Sequence, residues 1–155
     1  MLFFKKNIPT IVFALAVALI IFLRVFVCFI AVVKGDSMLP KFEDGQLLLI
    51  NKCYSSLERG DVIIFKHDGS FLIKRIIGLP GETIQIIDND IYVNDKKIND
   101  FVSVSMNNIG LASDPIRLEN DQFFVLGDNR NNSMDSRFFG AITQQQIAGV
   151  AQKYK

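Results

Sequence analysis

The chain has 155 residues, 17 Lys and Arg against 16 Asp and Glu, and a mean hydropathy of +0.28. That length favours one modest domain, and with near-cancelling charge, no basic stripe and a pI of about 7.7 nothing argues for a nucleic-acid partner. Cys28 and Cys53 have neither CxxC spacing nor a neighbouring histidine, so no zinc site and no disulfide framework are expected.

The apolar excess is local. Lys5-Lys6 precedes NIPTIVFALAVALIIFL, residues 7–23, and Arg24 is the only charge in residues 7–33. The run is longer than a signal-peptide core, and it ends in bulky residues rather than a small-x-small cleavage site. It reads as an uncleaved anchor, one N-terminal transmembrane helix near the lower limit of spanning length. Arg24 then falls at the far interface, where its stem can snorkel. Lys5 and Lys6 lean the N-terminus towards the cytoplasm, a bias that Arg24 and Lys34 weaken. Residues 25–33 are β-branched and aromatic and read as a strand.

Beyond Pro40 the apolar runs are short and cut by turn residues. LLLIN (47–51) and VIIFK (62–66) are predicted strands. Asp68-Gly69 is a favoured two-residue turn, so VIIFK and FLIKRII (71–77) form a hairpin. TIQII (83–87) and IYV (91–93) form a second hairpin-like unit, and FFVLGD (123–128) is a strand running into a loop. IAGVAQKY (147–154) suits a closing strand or a short helix, and TQQQIA (143–148) one helical turn. Residues 99–120 lack periodicity and read as a long loop or ribbon. The expected fold is mostly β, a barrel- or sandwich-like catalytic domain behind one transmembrane helix. Its division is an anchor at 1–24 and a β-rich domain at 25–155, with a short ribbon or loop insertion near 82–122.

Few residues are placed for chemistry. His67, the only histidine, adjoins a turn and is expected to be solvated, which weakens a Ser-His-Asp triad. No phosphate-binding glycine motif is present. Lys74 stands in an aliphatic strand, sharing a face with Leu72 and Ile76. Desolvation there would lower its pKa and make it a base, whereas an edge strand would let it reach water. Residues 128–137, DNRNNSMDSR, form a polar block between FFVL and Phe138-Phe139: a solvated loop, or a hydrogen-bonded wall with ion pairs.

GDSMLP, RGDVIIFK, IKRIIGLPGE and GDNRNNSMDSRFFG follow one another behind the apolar segment. Together they closely resemble type I signal peptidases, membrane-bound Ser-Lys peptidases that remove signal peptides. The resemblance runs from about Arg24 to the C-terminus. It implies that Ser37 is the nucleophile and Lys74 the general base, with Ser133 orienting the lysine amine. Asp128, Arg130, Asp135 and Arg137 match the family's supporting polar block, and Arg75 is expected to pair with Asp128. Met38, next to the nucleophile, is expected at the substrate site. Some members carry an oxyanion-donating serine where this chain has Gly35, which leaves the Ser37 backbone N–H as the main donor.

The implied substrates are preproteins with small residues at the first and third positions before the cut. The implied setting is the bacterial cytoplasmic (inner) membrane, single-pass, with the catalytic domain on the outer side. The lipid bilayer is the other expected partner; nucleic acid, cofactor and metal are not expected, and oligomeric state is left open. Three alternatives stand beside this reading. They are a dedicated maturation peptidase of the same superfamily, a self-cleaving repressor-type Ser-Lys protein, and an inactive anchored binding module. The repressor type needs a DNA-binding domain where the apolar segment stands.

Overall fold

The computed structural model describes residues 8–22, 27–102 and 105–152. Lys5, Lys6, and the stretch Arg24–Phe26 with its expected interfacial arginine, lie outside them. Helix α1, Ile8–Phe22, has 15 residues without a charge, and none of them is buried. At ~1.5 Å per residue it is roughly 22 Å long, short of a ~30 Å hydrocarbon core. Among the described residues no helix is long and apolar enough to cross a membrane.

The strands follow in chain order. They are β1 (Cys28–Val32), β2 (Leu47–Asn51), β3 (Val62–His67), β4 (Ser70–Gly78), β5 (Thr83–Ile87), β6 (Asp90–Val93) and β7 (Lys96–Lys97). After them come β8 (Ile116–Arg117), β9 (Gln122–Leu126), the short helix α2 (Ser136–Phe139), β10 (Ile142–Thr143) and β11 (Ile147–Gln152). Seven strands make one antiparallel sheet in the order β1-β2-β11-β3-β4-β9-β10. Four make a second, β7-β6-β5-β8. Neither order returns on itself among the described residues, so the mostly β expectation holds but the barrel form does not.

Side-chain alternation explains the apolar runs. On β3, Val62 and Ile64 enter one cluster with Val33, Met38, Phe42, Leu48 and Ile50. Ile63 and Phe65 enter another with Ile76, Phe123, Val125 and Ile142. A strand buried on both faces reads as a continuous apolar run, which is what VIIF is. Strand β9 divides its side chains in the same way. Phe123 and Val125 join that second cluster, while Phe124 and Leu126 join the cluster of the four-stranded sheet, with Ile77, Ile84, Ile86, Ile91 and Val93. Each such side chain contributes ~1.5–3 kcal/mol when fully buried, so β9 welds the two sheets together.

The turns are also local in origin. Asp68 and Gly69 both have positive φ, 45° and 81°, as a two-residue hairpin turn demands. Of IAGVAQKY, the described part Ile147–Gln152 is a strand rather than a helix, and residues 153–154 lie outside the described residues. The helical turn near TQQQIA is a 3-10 turn at Gln144–Gln146. His67 departs from expectation: it lies at the end of β3, its side chain 24% exposed, with its ring 4.2 Å from that of Phe139.

Candidate active site

Lys74 is the residue that the fold treats least like its class. It lies on β4, and β4 runs between β3 and β9, so the edge-strand option falls. Its ladder partner is Ile63, and only 3% of it is exposed. The Lys74 Nζ lies 2.7 Å from Ser37 Oγ, across 37 residues of sequence. Burial pushes the Lys74 pKa down from 10.5 to about 8, against a smaller upward pull from the Asp135 and Asp128 carboxylates. Desolvation wins because both carboxylates have been spent on arginines. Arg75 Nε donates to Asp128 Oδ1 at 2.7 Å and Arg75 Nη2 to Oδ2 at 2.5 Å. Arg137 Nε donates to Asp135 Oδ1 at 2.8 Å and Arg137 Nη2 to Oδ2 at 2.9 Å. Two fork-shaped pairs thus leave the lysine no dedicated counter-ion.

Ser37 opens the turn Ser37–Lys41 that follows β1. Two cross-chain hydrogen bonds hold it to the polar block. Asn129 N–H donates to the Ser37 carbonyl at 3.0 Å, and Asn129 Nδ2 to the Asp36 carbonyl at 3.1 Å. The Ser37 N–H donates to nothing among the described residues. Gly35 has φ +77°, and its N–H is engaged by Asp44 Oδ1 at 2.6 Å, so it is not a spare donor. Met38 is 1% exposed, belongs to the core cluster below the serine, and also lines the adjoining cleft.

In the block 128–137 the charged side chains form a buried wall, while Asn131, Asn132 and Met134 are exposed. Asp128, Arg130, Asp135, Ser136 and Arg137 are all buried. Asp135 also accepts from Gly127 N–H at 3.0 Å, and Arg130 Nε donates to the Gly127 carbonyl at 3.1 Å. Arg130 Nη1 and Nη2 meet Asp100 at 2.5 Å each, and Arg137 Nη1 reaches the Asn108 carbonyl at 2.9 Å. Gly127 is the tightest point: a Cβ there would lie 2.1 Å from Ser133 Oγ and 2.6 Å from the Ser37 carbonyl. Ser133 Oγ is buried beside it with no hydrogen-bond partner among the described residues. The expected Ser133–Lys74 hydrogen bond is therefore not formed; the amine is turned to Ser37 instead.

The other two sequence blocks brace the wall from outside. Arg75 Nη1 donates to the Gly60 carbonyl at 2.7 Å, and Arg59 Nη2 meets Glu82 Oε1 at 2.5 Å. A cleft of about 470 Å³ opens at the dyad, lined in part by Phe29, Ala31, Val33, Ile73 and Phe71 together with Ser37 and Lys74. Asn129 and Asp100 were not singled out in the sequence. An amide and a carboxylate in polar stretches give no local sign of their distant partners.

A serine beside a buried amine of lowered pKa, at the edge of an apolar cleft, is an arrangement for acyl transfer. The sequence profile of the family described as "signal peptidase, peptidase S26" matches residues 5–154. The chain belongs to this signal peptidase family. Similar relatives carry the same name. A signal peptidase I of Bacillus amyloliquefaciens is 36% identical over 149 residues, which is 88% of this chain and 80% of that protein. The signal peptidase I S of Bacillus subtilis is 35% identical over 150 residues, with 88% and 82% covered. A probable signal peptidase I-1 of Synechocystis is 35% identical over 162 residues, with 96% and 81% covered. In a crystal structure of a signal peptidase I from Enterococcus faecalis V583 the identity is 32% and the TM-score 0.53, over 62% of this chain and 97% of that one. The protein is a serine endopeptidase of the signal peptidase I type, which cleaves signal peptides from preproteins. An inactive binding module is thereby set aside.

Proposed function

We propose that signal-peptide cleavage runs on a Ser37–Lys74 dyad. The observation that carries this is the 2.7 Å contact between Lys74 Nζ and Ser37 Oγ at a lysine whose burial brings its pKa to about 8. Charged, the ammonium donates to Oγ; neutral, the amine accepts the hydroxyl proton over the same contact. Ser37 Oγ attacks the carbonyl carbon of the scissile bond as its proton moves to Lys74. The tetrahedral oxyanion faces the unused Ser37 N–H. The C–N bond then breaks, Lys74 returns the proton to the leaving amine, and an ester joins the signal peptide to Ser37. Lys74 next takes a proton from water, whose oxygen attacks the ester carbonyl; the C–Oγ bond breaks, Lys74 hands the proton to Ser37 Oγ, and the signal peptide leaves as a carboxylate.

The substrate binds as an extended strand along the cleft beside β1, with the small residues before the cut against Ala31, Val33 and Ile73. Met38 forms the buried floor. Ser133 takes a supporting part by filling the space under Gly127. The apolar run 7–23, of which helix α1 is the described part and which at 17 residues reaches the lower limit of a span, anchors the chain in the bacterial cytoplasmic membrane, single-pass, with the catalytic domain outside. The bilayer and signal-peptide-bearing preproteins are the partners. Purified Ser37→Ala and Lys74→Ala proteins, incubated with a preprotein and read by mass spectrometry of the cut site, should each release no mature protein. Cleavage retained by Lys74→Ala would remove the lysine from the mechanism.

A further inference from the structure

Ser37 is the first residue of a turn, and nothing in GDSMLP itself fixes the planes of the two peptides that flank it. Those planes matter more than the side chain's rotamer. In a planar trans peptide the carbonyl and the following N–H point to opposite edges. The Asp36 carbonyl therefore determines where the Ser37 N–H points. That carbonyl accepts from Leu39 N–H at 3.1 Å, within the turn, and from Asn129 Nδ2 at 3.1 Å, across the fold. The next plane, whose carbonyl belongs to Ser37, is held by Asn129 N–H at 3.0 Å. One residue thus clasps both peptides around the nucleophile. Its own place is fixed by its neighbour Asp128, whose carboxylate is locked by Arg75. The Ser37 N–H, on the edge opposite the clasp, has no partner among the described residues, and the Gly35 N–H is taken by Asp44.

We infer that Asn129 is the positioning residue of the oxyanion hole: its side-chain amide turns the Asp36–Ser37 peptide so that the Ser37 N–H faces the developing oxyanion. The inference rests on Ser37 being the nucleophile. A hole built on one backbone donor gains its strength from that donor's being pre-aimed. In this chain the aim comes from the polar block, by the amide next to the Asp128–Arg75 pair. Asn129 touches no reacting atom, and its backbone N–H survives any substitution, so only the Asp36 half of the clasp is removed.

The experiment compares Asn129→Ala and the near-isosteric, uncharged Asn129→Leu, which keeps the shape but presents no donor. Cleavage of a preprotein is measured across pH, with Ser37→Ala as reference. Both variants should lose kcat by roughly 10- to 100-fold with KM within about twofold. The midpoint of the pH–rate profile should stay with Lys74, at the wild-type value. A kcat within twofold of wild type in Asn129→Leu would overturn the inference. So would a loss accompanied by a displaced midpoint, because Asn129 would then be acting through the lysine. Activity retained by Ser37→Ala would instead overturn the reading of the nucleophile, a separable result.

Discussion

At the scale of single residues, the proposed chemistry turns on how far burial lowers the pKa of one lysine. Lys74 is 3% exposed and two carboxylates pull its pKa upward, yet the balance falls at about 8. Arg75 and Arg137 decide it, since each cancels the charge that would otherwise hold the proton. The sequence shows half of this. Lys74 among aliphatic residues is visible in FLIKRII, but whether β4 lies at an edge depends on β9, far along the chain. Two outcomes follow from the lowered pKa. The kcat/KM for preprotein cleavage should rise with pH and level off above about 8, because the base works only when deprotonated; a rate constant from pH 6 to 10 would contradict it. The buried amine should also cost stability. Its folded pKa lies below the unfolded value of 10.5, so the penalty is complete below pH 8 and fades as pH climbs from 8 to 10.5. Lys74→Met should therefore be inactive yet more stable at pH 7, by roughly 1–3 kcal/mol in denaturant unfolding. No gain at pH 7 would mean that the amine is not desolvated.

Elements defined by local chemistry were legible, and elements defined by distant partners were not. The β3–β4 hairpin is written in Asp68-Gly69, and β9 in an unbroken FFVL. The described stretches 99–102 and 105–109 carry no such signature, because their order comes from the wall they lie against. Asp100 holds Arg130, Phe101 stacks over Arg75 with its ring 5.5 Å from the guanidinium, and Asn131 Nδ2 reaches the Ser105 carbonyl at 2.9 Å. The loop of the small sheet is thus a strap across the back of the catalytic block. Asp100→Ala would leave the Arg130 guanidinium, whose side chain is 0% exposed, without its carboxylate. The expected cost is about 2–4 kcal/mol in chemical denaturation, since a buried charge stripped of its partner is far dearer than a surface pair. Asp90→Ala, which breaks only the exposed pair with Lys97, is the control and should unfold like wild type. Equal behaviour of the two variants would show that the strap carries no load.

At the scale of the molecule, the proposed anchor and the cleft pose one question: how a site on a folded sheet meets a substrate that emerges from a bilayer. The cleft is rimmed by apolar side chains that the fold leaves in the open. Val32 and Phe71 line it and are 51% and 61% exposed. Leu47, the ladder partner of Val32, is 63% exposed, and Ile30, two residues back along β1, is 62% exposed. Alternation puts Ile30 and Val32 on one face of an edge strand, opposite the face that packs on the core. An apolar rim of this kind has no use to a domain in free solution. Beside the proposed anchor, it would let the cleft rest against the headgroup region where a signal peptide ends. Replacing Ile30 and Leu47 with serine should leave cleavage of a soluble peptide within about twofold, because neither lines the cleft that takes the peptide. Cleavage of a preprotein embedded in lipid vesicles should fall by roughly tenfold, as lost apolar contact weakens docking. The ratio of the two rates is the measurement. Equal losses on both substrates would place the rim in peptide binding, and no loss on vesicles would leave α1 alone to hold the site at the membrane.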